Sequence, residues 1–227
     1  MAGRVRVEGE VVDKAGSLVS GDLGVEIKGK ERQYVSRGGE KLAGTLEDLH
    51  LSVEGFFCLD VGASTGGFTD CLLKHGAARV FSVDVGKNLL DYSLRGDPRV
   101  VVLEGCNFRY AAKDLIPEKV DLVTIDVSFI SLTLVIPPAL PFMKDGGILL
   151  PLVKPQFELS RKEVGKGGVV REEEKRFAAV RKIREYLEER GLAVEKEVPS
   201  RLLGPAGNQE YFILSRLPLY TESASDS

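Results

Sequence analysis

An apolar run that ends in a cluster of glycines, Phe56-Phe57-Cys58-Leu59-Asp60-Val61 followed by Gly62-Ala63-Ser64-Thr65-Gly66-Gly67-Phe68, constrains the fold of this chain more than any other stretch. A run of this kind fits a strand buried on both faces, and such strands belong to parallel sheets covered by helices. The glycines then form a strand-to-helix turn that relieves positive φ and lets the backbone approach a ligand. The same alternation continues downstream. A helix is expected over 67–75 and strands over 80–85, 100–103, 120–127 and 148–153. A helix over 171–190 carries Phe177, Val180, Ile183, Tyr186 and Leu187 on one face and is closed by Gly191. Upstream, Ser36 is placed to cap a helix over 38–49. The last two runs, 192–198 and 211–217, flank Gly204-Pro205-Ala206-Gly207 and pair as an antiparallel hairpin. The expected class is α/β, a doubly wound, mostly parallel seven-stranded sheet with a terminal antiparallel hairpin.

The first thirty residues read differently. Val5-Arg6-Val7, Val11-Val12 and 18–27 alternate with polar residues as short strands do, and Lys28-Gly29-Lys30-Glu31 reads as a linker. Three units are expected: 1–30, a small β segment; 31–217, the α/β domain; and 218–227, a disordered tail. Three cysteines, Cys58, Cys71 and Cys106, are odd in number and form no CxxC pair, which points to buried thiols in a reducing cytoplasm. No apolar leader is visible, and the longest apolar run, 132–143, is too short to span a bilayer and contains three prolines. The net charge of −3 neither demands nor excludes a nucleic-acid partner.

The glycine-rich turn lacks the lysine of a phosphate-binding P-loop, so triphosphate binding is not expected. Asp84 ends the second strand, where an acid can accept hydrogen bonds from both hydroxyls of a cofactor ribose. That residue suits a nicotinamide dinucleotide as well as S-adenosylmethionine. The spacing GxSxGG in place of GxGxxG, and an acid immediately before the loop, favour S-adenosylmethionine, which has no pyrophosphate to seat on a helix N-terminus. The cofactor set expected from the sequence is Asp60, Gly62, Ser64, Gly66, Gly67, Phe68, Asp84, Asn107 and Asp126, with Asp60 holding the amino or sulfonium end.

Four charged residues sit where charge is awkward. Asp126 and Lys154 end apolar strands, Lys41 lies on the helix leading into the sheet, and Glu210 starts the last strand. Taken singly, each fits a solvated or paired charge. Together with their surroundings they carry a resemblance. Tyr34-Val35-Ser36-Arg37-Gly38-Gly39-Glu40-Lys41-Leu42, the loop Asp60–Thr69, Asp126-Val127-Ser128-Phe129-Ile130, Lys154-Pro155-Gln156-Phe157-Glu158 and Gly207-Asn208-Gln209-Glu210-Tyr211 resemble the successive motifs of the TlyA family, often labelled hemolysin A, whose catalytic domain is similar to FtsJ/RrmJ enzymes. The resemblance implies a Rossmann-like, S-adenosylmethionine-dependent methyltransferase acting on ribose 2′-hydroxyls of cytidines in ribosomal RNA. It makes Lys41, Asp126, Lys154 and Glu210 a catalytic K-D-K-E tetrad. A lysine whose pKa is lowered by a neighbouring cation can draw the proton from a ribose hydroxyl. Lys154 is the candidate base or hydroxyl-orienting group, Asp126 steers its amine, and Lys41 and Glu210 position the ribose and tune the field. No metal is expected, and His50 and His75 form no ligand cluster.

The opening segment resembles the second half of an alpha-L RNA-binding module, and the family's two preceding basic helices are not found, so the chain reads as shortened. Residues expected to meet RNA are Arg4, Arg6, Arg37, Arg161, Lys162, Lys166 and Arg171, the last four on a glycine-rich basic loop. The expected partner is ribosomal RNA or a ribosomal subunit in the cytoplasm, with no membrane involved. Two other readings remain open at this stage: a membrane-lytic protein, as the family's label suggests, and a non-catalytic RNA-binding or assembly factor that retains the cofactor fold.

Overall fold

The structure, a computed structural model, describes residues 5–12, 17–27 and 33–219. The chain divides into two compact units, Met1–Gln33 and Tyr34–Ser227. The expected linker at 28–31 and nearly all of the expected disordered tail lie outside the described residues.

The described residues of the first unit form three short antiparallel strands, β1 (Val5–Val7), β2 (Glu10–Val11) and β3 (Val25–Ile27), in the order β2-β1-β3. Expected strand character over 18–27 is confined to 25–27, because the Gly21-Asp22 turn occupies the middle of that run.

The second unit opens with α1 (Arg37–Leu49) and β4 (Phe57–Val61), and α2 (Gly67–Lys74) leads to β5 (Arg79–Asp84). There follow α3 (Tyr92–Arg95), β6 (Val100–Glu104), β7 (Val120–Ile125), α4 (Ile136–Ala139), β8 (Met143–Val153), α5 (Pro155–Glu158), α6 (Glu173–Glu188), β9 (Ala193–Pro199) and β10 (Tyr211–Arg216). Their sheet has the order β6-β5-β4-β7-β8-β10-β9, with β10 antiparallel to both its neighbours and the other pairs parallel. This is the expected Rossmann-like α/β sheet with its terminal hairpin.

Period-two alternation along the central strands sorts their side chains into two cores. Leu59, Val61, Val123 and Ile125 meet Ile136, Ile183 and Leu187 on one face. Cys58, Leu122 and Leu150 meet Leu42, Leu46, Phe68 and Leu72 from α1 and α2 on the other. Strand β8 is longer than expected, because it continues through Gly146-Gly147, a pair that reads as a turn. On α6, Val180, Ile183 and Leu187 are buried as expected, whereas Phe177 is 47% exposed, with its ring 6.2 Å from that of Tyr211. Ser36 does sit at the N-cap of α1 but makes no side-chain capping bond. Its hydroxyl instead faces Gly67, where an added Cβ would meet it at 2.2 Å, so glycine is what lets α1 and α2 cross so closely. Among the described residues no helix is long and apolar enough to cross a membrane.

Candidate active site

The carboxyl ends of β4, β5 and β7 open onto a cavity of about 550 Å³. Five of the expected cofactor residues line it: Gly62, Ser64, Asp84, Asn107 and Asp126. Gly62 has φ +86°, and an added Cβ would fall 2.4 Å from the Asp126 carbonyl oxygen, so the β4 and β7 loops touch only because this residue lacks a side chain. Asp84 joins two loops, accepting the Ser64 amide at 2.8 Å on Oδ2 and the Gly86 amide at 2.7 Å on Oδ1. Each oxygen retains a lone pair for a further donor. Asn107 accepts the Arg109 amide through Oδ1 at 3.3 Å, and its amide nitrogen is a further donor at the cavity. Val85, Leu89, Phe108 and Val127 add apolar wall.

The other expected cofactor residues are placed elsewhere. Gly66 backs onto Leu90 and Leu94, Gly67 forms the α1–α2 crossing, and Phe68 is a core residue 5.9 Å from the Phe212 ring. Asp60 also departs from its expected position at the amino or sulfonium end of a ligand. Alternation puts it on the same face as Cys58, toward α2, where it is fully buried. Its Oδ2 accepts the Thr69 hydroxyl at 2.7 Å, and Oδ1 accepts that of Thr124 at 3.1 Å. Burial raises its pKa to about 7 against the stabilising pull of those hydroxyls. The folded chain therefore holds a proton that an unfolded aspartate releases near 3.8, and Asp60 withdraws stability as pH rises from about 4 to about 7. Replacement by asparagine is expected to flatten that dependence, so the variant gains on the wild type across this window in denaturant titrations. A difference that does not change with pH would contradict the assignment.

The four expected catalytic residues gather at the same edge as two ion pairs. Lys41 Nζ donates to Glu210 Oε2 at 2.5 Å, with both side chains buried. Lys154 Nζ lies 2.6 Å from Asp126 Oδ1. The pairing of Tyr211 with Val153 in antiparallel register sets Glu210 beside Lys154. Two buried carboxylate oxygens, Asp126 Oδ1 and Glu210 Oε1, accept no hydrogen bond. Gly204 makes room for the second, since a Cβ there would fall 2.4 Å from Glu210 Oε1.

The segments 126–132 and 154–158 are laced together residue by residue. Asp126 and Ser128 meet Lys154, the latter at 3.0 Å from Nζ. The Phe129 ring stands 5.1 Å from that of Phe157. Glu158, itself buried, accepts the Leu132 amide at 2.8 Å and the Ser131 hydroxyl at 2.5 Å. Phe129 is 91% exposed at the cavity wall and holds a left-handed backbone with φ +65°. Such a conformation is uncommon outside glycine and marks a constrained turn.

The sequence model of FtsJ-like methyltransferases matches residues 34–217, the whole of the unit that carries this site apart from its last residues. The chain belongs to the FtsJ-like methyltransferase family. It is 44% identical over 216 residues to the 16S/23S rRNA (cytidine-2′-O)-methyltransferase TlyA of Mycobacterium tuberculosis, an alignment spanning 95% of this chain and 81% of that protein. It is 40% identical over 212 residues to a Brachyspira hyodysenteriae protein named Hemolysin A, spanning 93% and 88% of the two chains. A solved structure from Streptococcus thermophilus, designated there as a hemolysin candidate, matches with a TM-score of 0.81 and 40% identity over 96% of this chain and 80% of its own.

In this FtsJ-like chain the basic residues expected to meet RNA are scattered. Arg4 lies outside the described residues, and Arg6 donates to the Gly9 carbonyl at 2.9 Å within its own hairpin. Arg37 donates to the Leu203 carbonyl at 3.1 Å. Arg161, Lys162, Lys166 and Arg171 are exposed on the loop between α5 and α6. Asn208 ties that loop to the segment carrying Glu210, accepting the Val170 amide and donating to the Gly168 carbonyl, both at 2.8 Å. Sequence reasoning did not single out Asn208, Ser128, Phe129 and Glu158, which make contacts around the site, although each stands inside a motif that it quoted. Among the described residues no cluster of histidine, cysteine or carboxylate side chains could hold a metal.

Proposed function

We propose that this chain methylates the 2′-hydroxyl of cytidine ribose in ribosomal RNA with S-adenosylmethionine as donor. One observation carries the reading: a cavity edged by Asp84, Asn107 and Asp126 opens beside two lysine–carboxylate pairs, Lys154–Asp126 and Lys41–Glu210. The donor set suits the cofactor. Asp84 and Asn107 would hold its ribose and adenine ends between apolar walls, and Asp126 would face its cationic end. When bound, S-adenosylmethionine supplies an electrophilic methyl on a sulfonium centre. Lys154 takes the proton of the ribose hydroxyl at Nζ, Asp126 holds that amine by charge, and the Lys41–Glu210 pair positions the ribose. Alignment of hydroxyl and methyl supplies a large share of the acceleration. Phe129, exposed beside Lys154, offers a face on which the base of the target nucleotide stacks. The basic loop and the N-terminal strands add phosphate contacts, and a ribosomal substrate places the reaction in the cytoplasm.

Nucleoside mass spectrometry tests the substrate. Ribosomal RNA from cells lacking their own relative is expected to gain 2′-O-methylcytidine when this chain is supplied. A gain of base-methylated nucleosides only, or no gain with a folded and cofactor-binding protein, would refute the assignment. Asp84→Ala is expected to weaken S-adenosylmethionine binding by about 10- to 100-fold in calorimetry, the loss of hydrogen bonds to a charged acceptor.

A further inference from the structure

We infer that Ser128, not Asp126, sets the direction of the Lys154 amine, and is thus a positioning residue for proton transfer; this rests on the methyltransferase reading above. The two contacts of Nζ differ in kind. The approach to Asp126 Oδ1 is close, at 2.6 Å, yet that oxygen has no hydrogen bond, so the contact is an ion pair without the angles of a directed bond. The contact with Ser128 Oγ, at 3.0 Å, does have hydrogen-bond geometry. Coulomb attraction depends on distance alone, whereas a hydrogen bond weakens steeply off axis. The carboxylate therefore supplies charge and the serine supplies orientation.

The backbone around Ser128 fits this role. The next residue, Phe129, takes the left-handed conformation with φ +65°, and its ring packs against Phe157, three positions after Lys154. Ser131 and Leu132 are fixed to Glu158, four positions after Lys154. These anchors, which follow the serine on one segment and the lysine on the other, thus hold the two residues in register. Once the ammonium has released a proton to water, one N–H stays directed at Ser128 with the Asp126 carboxylate beside it, and the lone pair so exposed is left a restricted range of directions in which to meet a hydroxyl. In the transfer, the ribose O–H bond breaks as an N–H bond forms at Nζ, and the proton later passes to water. Ser128 accepts a hydrogen bond throughout and changes no bond of its own.

Two variants test the inference. Ser128 is exposed, so Ser128→Ala removes the acceptor with little effect on the fold, and Ser128→Thr keeps the hydroxyl with space for the added methyl. Ser128→Ala is expected to lower kcat by about 10- to 100-fold, as for loss of a hydrogen bond to a charged group, with KM for RNA unchanged within about twofold. Ser128→Thr restores most of the rate. A second readout needs no substrate. Acylation of Lys154 by an amine-reactive reagent, followed by peptide mass spectrometry on the unliganded protein, is expected to quicken about fivefold in Ser128→Ala and to stay at the wild-type rate in Ser128→Thr. Labelling of Lys144 serves as the control. Unchanged labelling of Lys154 in Ser128→Ala, an effect confined to KM, or a threonine variant as slow as alanine would overturn the inference. Absence of methyl transfer by the wild type would count against the proposed function alone, since the labelling result still decides the role of Ser128.

Discussion

Replacement of Lys154 by alanine is expected to lower methyl transfer about 10²- to 10⁴-fold, the range for a positioned general base, while cofactor binding and folding persist. The lysine directly follows β8, touches Asp126 and Ser128, and is not part of either core. Its removal leaves Asp126 without its ion pair, but that carboxylate is partly open to solvent, so the structural cost is modest. Lys154→Arg separates two roles. Arginine keeps the positive charge and does not give up its proton in proteins, so it cannot act as a base. The variant is expected to be as inactive as alanine. An arginine enzyme with near-wild-type rates would show that only the charge is needed and that the proton leaves by another route.

The second large effect concerns the pair behind it. Lys41 and Glu210 are both buried, and removing one partner leaves the other as an uncompensated charge. Lys41→Met is expected to destabilise the fold by about 3–5 kcal/mol, read as a fall in denaturant midpoint. Adding Glu210→Leu to the same chain removes the orphaned charge and is expected to recover most of that stability. Activity should stay lost in both. Recovery of activity along with stability in the double variant would mean that the pair only holds the fold. A single variant as stable as the wild type would mean that the two charges are not desolvated as the structure places them.

The legible parts of the molecule were those set by short-range patterns. The run 56–61 and its glycines located β4 and α2 because an apolar strand entering a glycine turn has few alternatives. Strand ends at Asp126 and Lys154 brought two catalytic candidates to one edge, since carboxyl ends of parallel strands share an edge. Asp60 differs from its expected place for a local reason: its sequence neighbours group it with the loop that follows, whereas it is still within the strand and, by alternation, shares the face of Cys58 toward α2. Gly146-Gly147 hid the first half of β8, because a glycine pair reads as a turn unless the neighbouring strand is known. The Phe177 position had the right period, but α6 buries a narrower stripe than its apolar residues suggest. The lacing of 126–132 onto 154–158 joins residues about 26 apart, and no periodicity reports a contact of that range. Each motif was visible; their pairing was not.

The central claim is that Lys154 drives transfer of a methyl group to a ribose hydroxyl of ribosomal RNA. The most direct test supplies methyl-labelled S-adenosylmethionine and ribosomal subunits from cells lacking the relative, with the wild type and Lys154→Ala side by side, followed by alkaline hydrolysis of the RNA. A 2′-O-methyl blocks the hydroxyl that alkali uses to cleave the chain, so label is expected in alkali-resistant dinucleotides with the wild type and to be absent with the variant. Label in mononucleotides, or equal label from both proteins, would contradict the account.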